Sequence, residues 1–159
     1  MPEAQVDRFM LKLSVTYPSR EEELQVIALS SQPAPVLEPA MGTEHILEAQ
    51  EVVRSIRTTD VLMSYIVDLV RATRSPGEID PELVRTVDVG ASPRASIALA
   101  GAARAHAFLD GRGYALPEDV KAIAPDVLRH RVMLSYEAEA DGLTSDAVVK
   151  RILDKVDVD

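Results

Sequence analysis

The sequence predicts a mainly α-helical protein, a helical bundle with at most a small two-stranded β ribbon. Aromatic residues make up only 4% of the chain and Trp is absent, whereas Ala, Val and Leu are abundant. This mixture favours closely packed helices over a β-sandwich, because strands are enriched in aromatic residues. Good helix N-caps also precede segments in which apolar residues recur every three or four positions.

Composition and charge exclude several classes of protein. Of the 159 residues, 47% are hydrophobic and 27% are charged, which is typical of a globular domain and not of a disordered chain. The net charge of −9 disfavours broad binding to nucleic-acid phosphates. Because Cys is absent, the chain has neither disulfides nor a thiolate metal site, which is consistent with a cytoplasmic protein. No apolar run approaches the roughly 18–20 residues of a membrane span, and the N-terminus lacks a signal-peptide pattern.

The first 42 residues predict a helix end, a strand, a helix and a linker. Residues 2–9 resemble the end of a helix, and Leu11–Tyr17 alternates apolar and polar side chains as a β-strand does. A single strand cannot pair its own backbone groups, so we expect its sheet to be completed elsewhere and the chain to be part of a longer protein. The capping box Ser19–Glu22 opens a helix to about Ser31. Three prolines then mark residues 32–42 as a linker.

Five further helices are predicted after the linker. They begin near Thr43, Thr59, Ser92, Pro117 and Ser145, each of which suits a cap or a first turn. Their predicted inner faces are Ile46, Ala49, Val53 and Ile56; Val61, Leu62, Tyr65, Ile66, Leu69 and Val70; the alanines between residues 95 and 107; Val120, Ile123, Val127 and Leu128; and Val148, Val149, Ile152, Leu153 and Val156.

Two irregular features interrupt this helical pattern. Pro125 lies inside the predicted fourth helix, and we expect it to kink or split that helix because proline lacks the backbone N–H. Residues 132–138 are short and strand-like, and we expect them to pair with residues 84–89 as the β ribbon.

The segment Val89-Gly90-Ala91-Ser92-Pro93-Arg94 combines a helix start with a cation. A cation in the first turn opposes the helix dipole at a cost of roughly 0.3–1 kcal/mol. An anion held by the first-turn N–H groups and the Arg94 guanidinium would reverse the sign of that effect. The motif therefore indicates either a phosphate-binding site or an exposed arginine without a function.

No other motif indicates catalysis. No glycine is followed by Lys, so the chain has no phosphate-binding loop of the G-x-x-x-x-G-K-[ST] type. The histidines lack metal-ligand spacing and the serines lack a nucleophile elbow, so we expect neither a metal site nor a hydrolase triad. The cluster Arg129-His130-Arg131 either complements a helix C-terminus or contacts a partner or nucleotide. The residues weighed as ligands or nucleophiles are His45, His106 and His130, and Ser14, Ser92 and Ser135.

Four segments together resemble the C-terminal half of the MoxR-type AAA+ ATPases. In order they are PEAQVDRF, LKLSVTYPSREEE, VGASPRA and PEDVKAIAPDVLRHR. The resemblance runs from Pro2 to about Leu143. It implies that residues 1–32 are the end of the nucleotide-binding α/β core, with its last strand and a connecting helix. Residues 33–42 would then be the linker, and residues 43–159 the helical AAA+ lid domain.

The resemblance also implies a role for each candidate residue. Arg8 corresponds to the arginine finger, which reaches the ATP of the neighbouring subunit and stabilises charge on the γ-phosphoryl group. Arg94 corresponds to the sensor-2 arginine, which touches the nucleotide from the lid, with Gly90, Ala91 and Ser92 beside it. Such an arginine can couple phosphate loss to motion of the lid.

Members of this family are chaperone-like and form hexameric rings. They use ATP and Mg²⁺, and commonly act with von Willebrand factor A-type partners to mature or activate other proteins. The phosphate loop and the acidic Mg²⁺ motif are absent from this chain, so we expect the chain alone to be inactive. Leu116 stands where such proteins often place a Thr N-cap, which weakens one cap.

A free-standing helical adaptor is the alternative interpretation. Such a protein would bind a protein partner through its apolar helix faces and would not respond to nucleotide.

Overall fold

The computed structural model describes residues 3–158, so Met1, Pro2 and Asp159 lie outside the described residues. Pro2 is part of the helix end predicted for residues 2–9, and within the described residues that helix runs over Glu3–Val6. Two single-turn 3₁₀ helices, Pro76–Glu78 and Pro81–Leu83, follow the fourth helix. The regular elements are α1 Glu3–Val6, α2 Arg20–Ser30, α3 Thr43–Ser55, α4 Asp60–Ala72, β1 Val87–Val89, α5 Pro93–Leu109, α6 Pro117–Leu128, β2 Met133–Leu134, α7 Tyr136–Ala140 and α8 Ser145–Lys155.

The mainly α-helical prediction with one small β ribbon is confirmed. The strands β1 and β2 pair in antiparallel register, with Val87 opposite Leu134 and Val89 opposite Met133. The second strand is shorter than predicted because Ser135 caps α7, its hydroxyl accepting the Ala138 N–H at 3.2 Å. The capping box of α2 is also confirmed, by hydrogen bonds in both directions between Ser19 and Glu22.

The core is built around α5. This helix packs most extensively against α6 and also contacts α3 and α4, while α8 covers α6 and α4. Small side chains on α5 let these helices approach closely, since each alanine places only a methyl group between them. The fully buried alanines of α5 are Ala95, Ala103 and Ala107. The largest fully buried side chains of the core are Tyr65, Leu62, Ile66, Leu69, Leu83, Leu99, Leu128 and Ile152.

Residues 11–17 form no strand in the described structure, contrary to the sequence pattern. Their side chains point into solvent, with Val15 90% and Tyr17 96% exposed. No other strand within residues 3–158 lies beside this segment, and an unpaired strand leaves its backbone groups without partners. Helix α2 likewise buries none of its side chains.

Three details of the helical pattern were predicted wrongly. Gly42, not Thr43, is the N-cap of α3, and its N–H is 3.1 Å from Nδ1 of His45. Ile46 and Val61, expected on inner faces, are each 48% exposed, and α3 has no fully buried side chain. Of the two effects predicted for Pro125, a split of α6 does not occur, since the helix runs without interruption, and a kink stays a prediction. The neighbouring Ala124 and Val127 are fully buried, so packing outweighs the lost backbone hydrogen bond.

A bilayer-spanning helix, which needs about 20 mostly apolar residues in succession, is absent from residues 3–158.

The loop before α5 packs tightly against the end of α4. Thr73 Oγ1 accepts the Ala91 N–H at 2.9 Å, and Arg74 Nε donates to the Ala91 carbonyl at 2.8 Å. A Cβ atom on Gly90 would lie 2.6 Å from the Thr73 carbonyl oxygen and 2.7 Å from the Arg74 backbone nitrogen. Because both neighbours are backbone atoms, glycine is required at this position to set the start of α5.

Gly90→Ala should therefore lower the free energy of unfolding by about 1–3 kcal/mol, the usual cost of overpacking. Urea denaturation measures this change. Gly113→Ala is the matched control, since a Cβ at Gly113 meets no atom within 4 Å, and we expect a change within about 0.5 kcal/mol. Equal losses in the two variants would contradict the close approach at Gly90.

Candidate functional site

Arg8 and Arg94, the two arginines singled out from the sequence, line the same open groove. We call this groove the arginine groove; it lies between residues 7–10 and the first half of α5. Its volume is about 580 Å³. Both arginine side chains are exposed. The full lining is Asp7, Arg8, Met10, Arg94, Ile97, Ala98, Gly101 and Arg131.

The guanidinium groups of Arg8 and Arg94 make no ion pair or hydrogen bond with any side chain or backbone group of residues 5–158. The guanidinium carbon of Arg8 lies 5.2 Å from the centroid of the Phe9 ring. By contrast, Arg112, Arg129 and Arg131 are all held in ion pairs. Two exposed cations therefore lie beside one groove in a chain whose net charge is −9.

The N-terminus of α5 already holds an anion, and that anion belongs to the protein. The Ser92 hydroxyl donates to the Asp7 carboxylate, with oxygen–oxygen distances of 2.9 and 3.1 Å. Ser92 Oγ also accepts the Arg94 N–H at 3.2 Å, and the Ser92 carbonyl accepts the Ala95 N–H at 2.9 Å. Pro93 has no N–H, and the N–H groups of Arg94 and Ala95 are both engaged by Ser92. The set of free first-turn N–H groups that the sequence predicted for an anion is therefore not present. The Arg94 guanidinium is the group left to contact a ligand.

Gly90 and Ala91 pack against the end of α4 in this structure. The N–H and carbonyl groups of Ala91 are both engaged there, by Thr73 and Arg74. The contact of Gly90 and Ala91 with nucleotide stays a prediction.

The basic cluster Arg129-His130-Arg131 contacts the segment that carries Arg8. The Nε of Arg131 lies 3.1 Å from Oδ1 of Asp7, and its Nη atoms donate to the carbonyls of Asp7, Phe9 and Met10 at 3.0, 2.5 and 3.2 Å. Nε2 of His130 is 2.9 Å from the Phe9 carbonyl oxygen. The sequence did not reveal that this cluster holds residues 7–10 in place, because the partners are more than 120 positions apart.

Burial decides the charge state of His130, which is 6% exposed. Desolvation lowers the pKa of His130, although the hydrogen bond to the Phe9 carbonyl opposes this effect. The nearby cations Arg131 and Lys12 lower the pKa further, and Asp7 raises it. His130 is therefore a neutral hydrogen-bond donor near neutral pH.

A second polar cluster surrounds Asp119, whose side chain is 1% exposed. Its carboxylate accepts hydrogen bonds from Arg112 at 2.5 and 2.8 Å and from the Leu116 N–H at 2.7 Å. The hydrogen bonds from Arg112 are the main reason that the pKa of Asp119 is lowered despite its burial. Nδ1 of His106 is 2.7 Å away.

Ligand atoms of His106, Asp110 and Asp119 lie within 4.8 Å of one another, a grouping that sequence spacing did not reveal. Arg112 occupies the Asp119 oxygens that a cation would use. Asp119 instead stabilises the start of α6 by accepting the Leu116 N–H, which is one half of a capping box; the Leu116 side chain cannot supply the other half.

Residues 84–152 match the family model described as AAA lid domain. The chain is 41% identical to protein YeaC of Bacillus subtilis over 99% of this chain and 48% of the relative. It is 41% identical to the chaperone MoxR1 of Mycobacterium tuberculosis over 98% of this chain and 42% of the relative. It is 31% identical to protein MoxR of Paracoccus denitrificans over 90% of this chain and 47% of the relative.

A solved structure from Cytophaga hutchinsonii, described as a candidate ATPase, is also similar to this chain. The two align with a TM-score of 0.93 and 40% identity over 100% of this chain and 49% of the other. The chain therefore spans about half the length of the curated relatives and of the solved structure that it matches.

Stability should depend on pH through His130. The unfolded histidine binds a proton near its ordinary pKa of 6.5, whereas the folded one has a lowered pKa. The contribution of His130 is therefore fully present above pH 6.5 and is lost as the pH falls below that value. We expect the free energy of unfolding, measured by urea denaturation, to fall between about pH 7.5 and 5.5.

His130→Gln tests this dependence, because it keeps a donor for the Phe9 carbonyl and removes the titrating group. Its unfolding free energy should change less over the same pH range than that of the wild type. His45→Gln, at an exposed position, should keep the wild-type slope. A wild-type slope in His130→Gln would show that another group controls the effect.

Proposed function

Because the chain belongs to the MoxR-type AAA+ ATPases and corresponds to their C-terminal part, we propose that it senses the nucleotide of a ring-forming ATPase. The observation that carries the proposal is the arginine groove. Arg8 and Arg94 are both exposed there, and neither has an ionic partner among residues 5–158. In the proposed assembly the groove faces the phosphates of ATP.

The chemistry of the groove suits a phosphate group. A guanidinium is planar and always charged, and it donates two parallel hydrogen bonds to a phosphate. Because Arg8 and Arg94 line one groove, we propose that both act on the same nucleotide, which is bound by a neighbouring subunit. Charge that develops on the γ-phosphoryl oxygens would be stabilised mainly by Arg8.

The position of Arg94 suggests how nucleotide state would reach the lid. Arg94 lies in the first turn of α5, the helix around which the core is packed. Loss of the γ-phosphate would remove the ligand of Arg94. We propose that α5, and the packed helices that move with it, shift when this contact is lost.

The whole protein is proposed to be a chaperone-like ATPase. It would bind ATP with Mg²⁺, form a homo-oligomeric ring, and act with a von Willebrand factor A-type partner to mature or activate other proteins. The name chaperone given to the Mycobacterium tuberculosis relative supports the general class. This chain has no phosphate loop, so we propose that it does not hydrolyse ATP alone.

A helical adaptor is the second candidate, and α2 favours it. This helix buries no side chain and exposes four large apolar ones, Leu24, Val26, Ile27 and Leu29. An adaptor would use this face for a protein partner and would leave Arg8 and Arg94 without a ligand. The two candidate functions therefore make opposite predictions for variants of Arg8 and Arg94.

In a full-length ATPase that carries this chain, Arg94→Ala should sharply weaken nucleotide binding or turnover. Arg8→Ala should leave ATP binding intact and reduce assembly-dependent hydrolysis by roughly 10³-fold or more, the usual contribution of an arginine finger. Equilibrium binding of a fluorescent ATP analogue and steady-state phosphate release measure the two effects.

The matched control is Arg54→Ala, which removes an exposed arginine of α3 outside the arginine groove. Its turnover should equal that of the wild type, since an exposed ion pair contributes little. Normal binding and turnover in both Arg8→Ala and Arg94→Ala would exclude the nucleotide role and favour the adaptor.

A further inference from the structure

We propose that Asp7 and Arg131 are positioning residues that join Arg8 and Arg94 into one rigid unit. The Asp7 carboxylate receives the Ser92 hydroxyl at 2.9 Å and the Arg131 Nε at 3.1 Å. Ser92 caps the helix that carries Arg94, and Arg8 directly follows Asp7 in the chain. A single carboxylate therefore connects the backbone positions of both groove arginines.

Arg131 is the anchor of this connection. Its side chain is only 2% exposed. Beyond the ion pair with Asp7, it donates to the carbonyls of residues 7, 9 and 10, which surround Arg8, and to the Val127 carbonyl in the last turn of α6. The five donors of a planar guanidinium can satisfy so many acceptors at once, whereas a lysine ammonium cannot match their arrangement.

Further contacts hold the same segment against the lid helices. The Lys12 N–H donates to the Asp126 carbonyl at 2.9 Å, and Arg129 donates to the Lys12 carbonyl at 2.6 Å. Met10 lies over Gly101 of α5, where a Cβ would come 3.5 Å from the Met10 Cε. Residues 7–12 are thus attached to both α5 and α6.

The connection through Asp7 and Arg131 has a mechanical consequence. If residues 7–12 are fixed to α5 and α6, then Arg8 cannot move independently of Arg94, and a shift of the lid displaces both. The functional meaning of this coupling rests on the proposed nucleotide role of the two arginines. The coupling itself is a property of the chain without nucleotide, so it can be tested separately.

The chain contains no cysteine, so spin labels can be placed without background. We would label Arg8→Cys together with Arg94→Cys and record the distance distribution by dipolar electron paramagnetic resonance without nucleotide. The distribution should be narrow in the otherwise wild-type chain. Arg131→Lys and, separately, Asp7→Asn should roughly double its width, because the segment around Arg8 then moves relative to α5.

Two controls separate positioning from general loosening. Arg151→Lys alters an arginine that is ion-paired with Asp80 and Glu82 and does not line the arginine groove; it should leave the 8–94 distribution narrow. A second label pair, Arg94→Cys with Glu118→Cys on α5 and α6, reports on the lid itself and should stay narrow in Asp7→Asn.

The proposal is overturned if the 8–94 distribution stays narrow in both Arg131→Lys and Asp7→Asn, or if Arg151→Lys broadens it equally. If Arg131→Lys also broadens the 94–118 distribution, the lid helices have lost their packing in that variant, and the test then depends on Asp7→Asn. In Asp7→Asn, a broad 8–94 distribution together with a narrow 94–118 distribution supports the positioning role of Asp7 and Arg131. None of these results depends on whether Arg8 and Arg94 bind ATP.

Discussion

The ion pair between Asp7 and the buried Arg131 determines how the N-terminal segment meets the helical part of the protein. A guanidinium withdrawn from water is costly unless each of its donors finds an acceptor. Arg131 meets this requirement with one carboxylate and several backbone carbonyls, most of them from residues 7–10. An irregular segment with few buried side chains is thereby given a fixed position by polar contacts.

This connection explains the electrostatics of the arginine groove. Asp7 compensates Arg131 and supplies the anion at the start of α5, so Arg8 and Arg94 are left as the exposed cations of the groove. Asp7 lines the same groove, but its carboxylate oxygens are engaged by the Ser92 hydroxyl and the Arg131 guanidinium. Arg8 and Arg94 therefore remain exposed cations on a chain with a net charge of −9.

Close packing sets the direction of α5 just as strictly. Gly90 brings the preceding loop onto the backbone of residues 73 and 74, and Ser92 then caps the helix. The alanines of α5 let α4 and α6 pack against its sides. The start of this helix, and with it the backbone position of Arg94, is therefore fixed by packing on one side and by Asp7 on the other.

Local sequence determined most of the helical architecture. Caps such as Ser19, Thr59 and Ser92 and the apolar periodicity of α4 act over three or four residues, so the chain itself specifies them. The family resemblance singled out Arg8 and Arg94 for the same reason, since each lies within a short motif. Residues 11–17 show the limit of such reasoning: their alternation is real, yet a strand exists only where a neighbouring strand completes its hydrogen bonds.

Only the tertiary structure decided the partners of Arg131, the capping role of Asp119 and the shared groove of Arg8 and Arg94. The cluster Arg129-His130-Arg131 left two interpretations open, and its actual contacts lie more than 120 positions away. Asp119 is joined to Arg112 and His106 only because the end of α5 folds back beside the start of α6. Contacts between distant residues depend on how whole elements pack, and no short-range pattern in a single sequence carries that information.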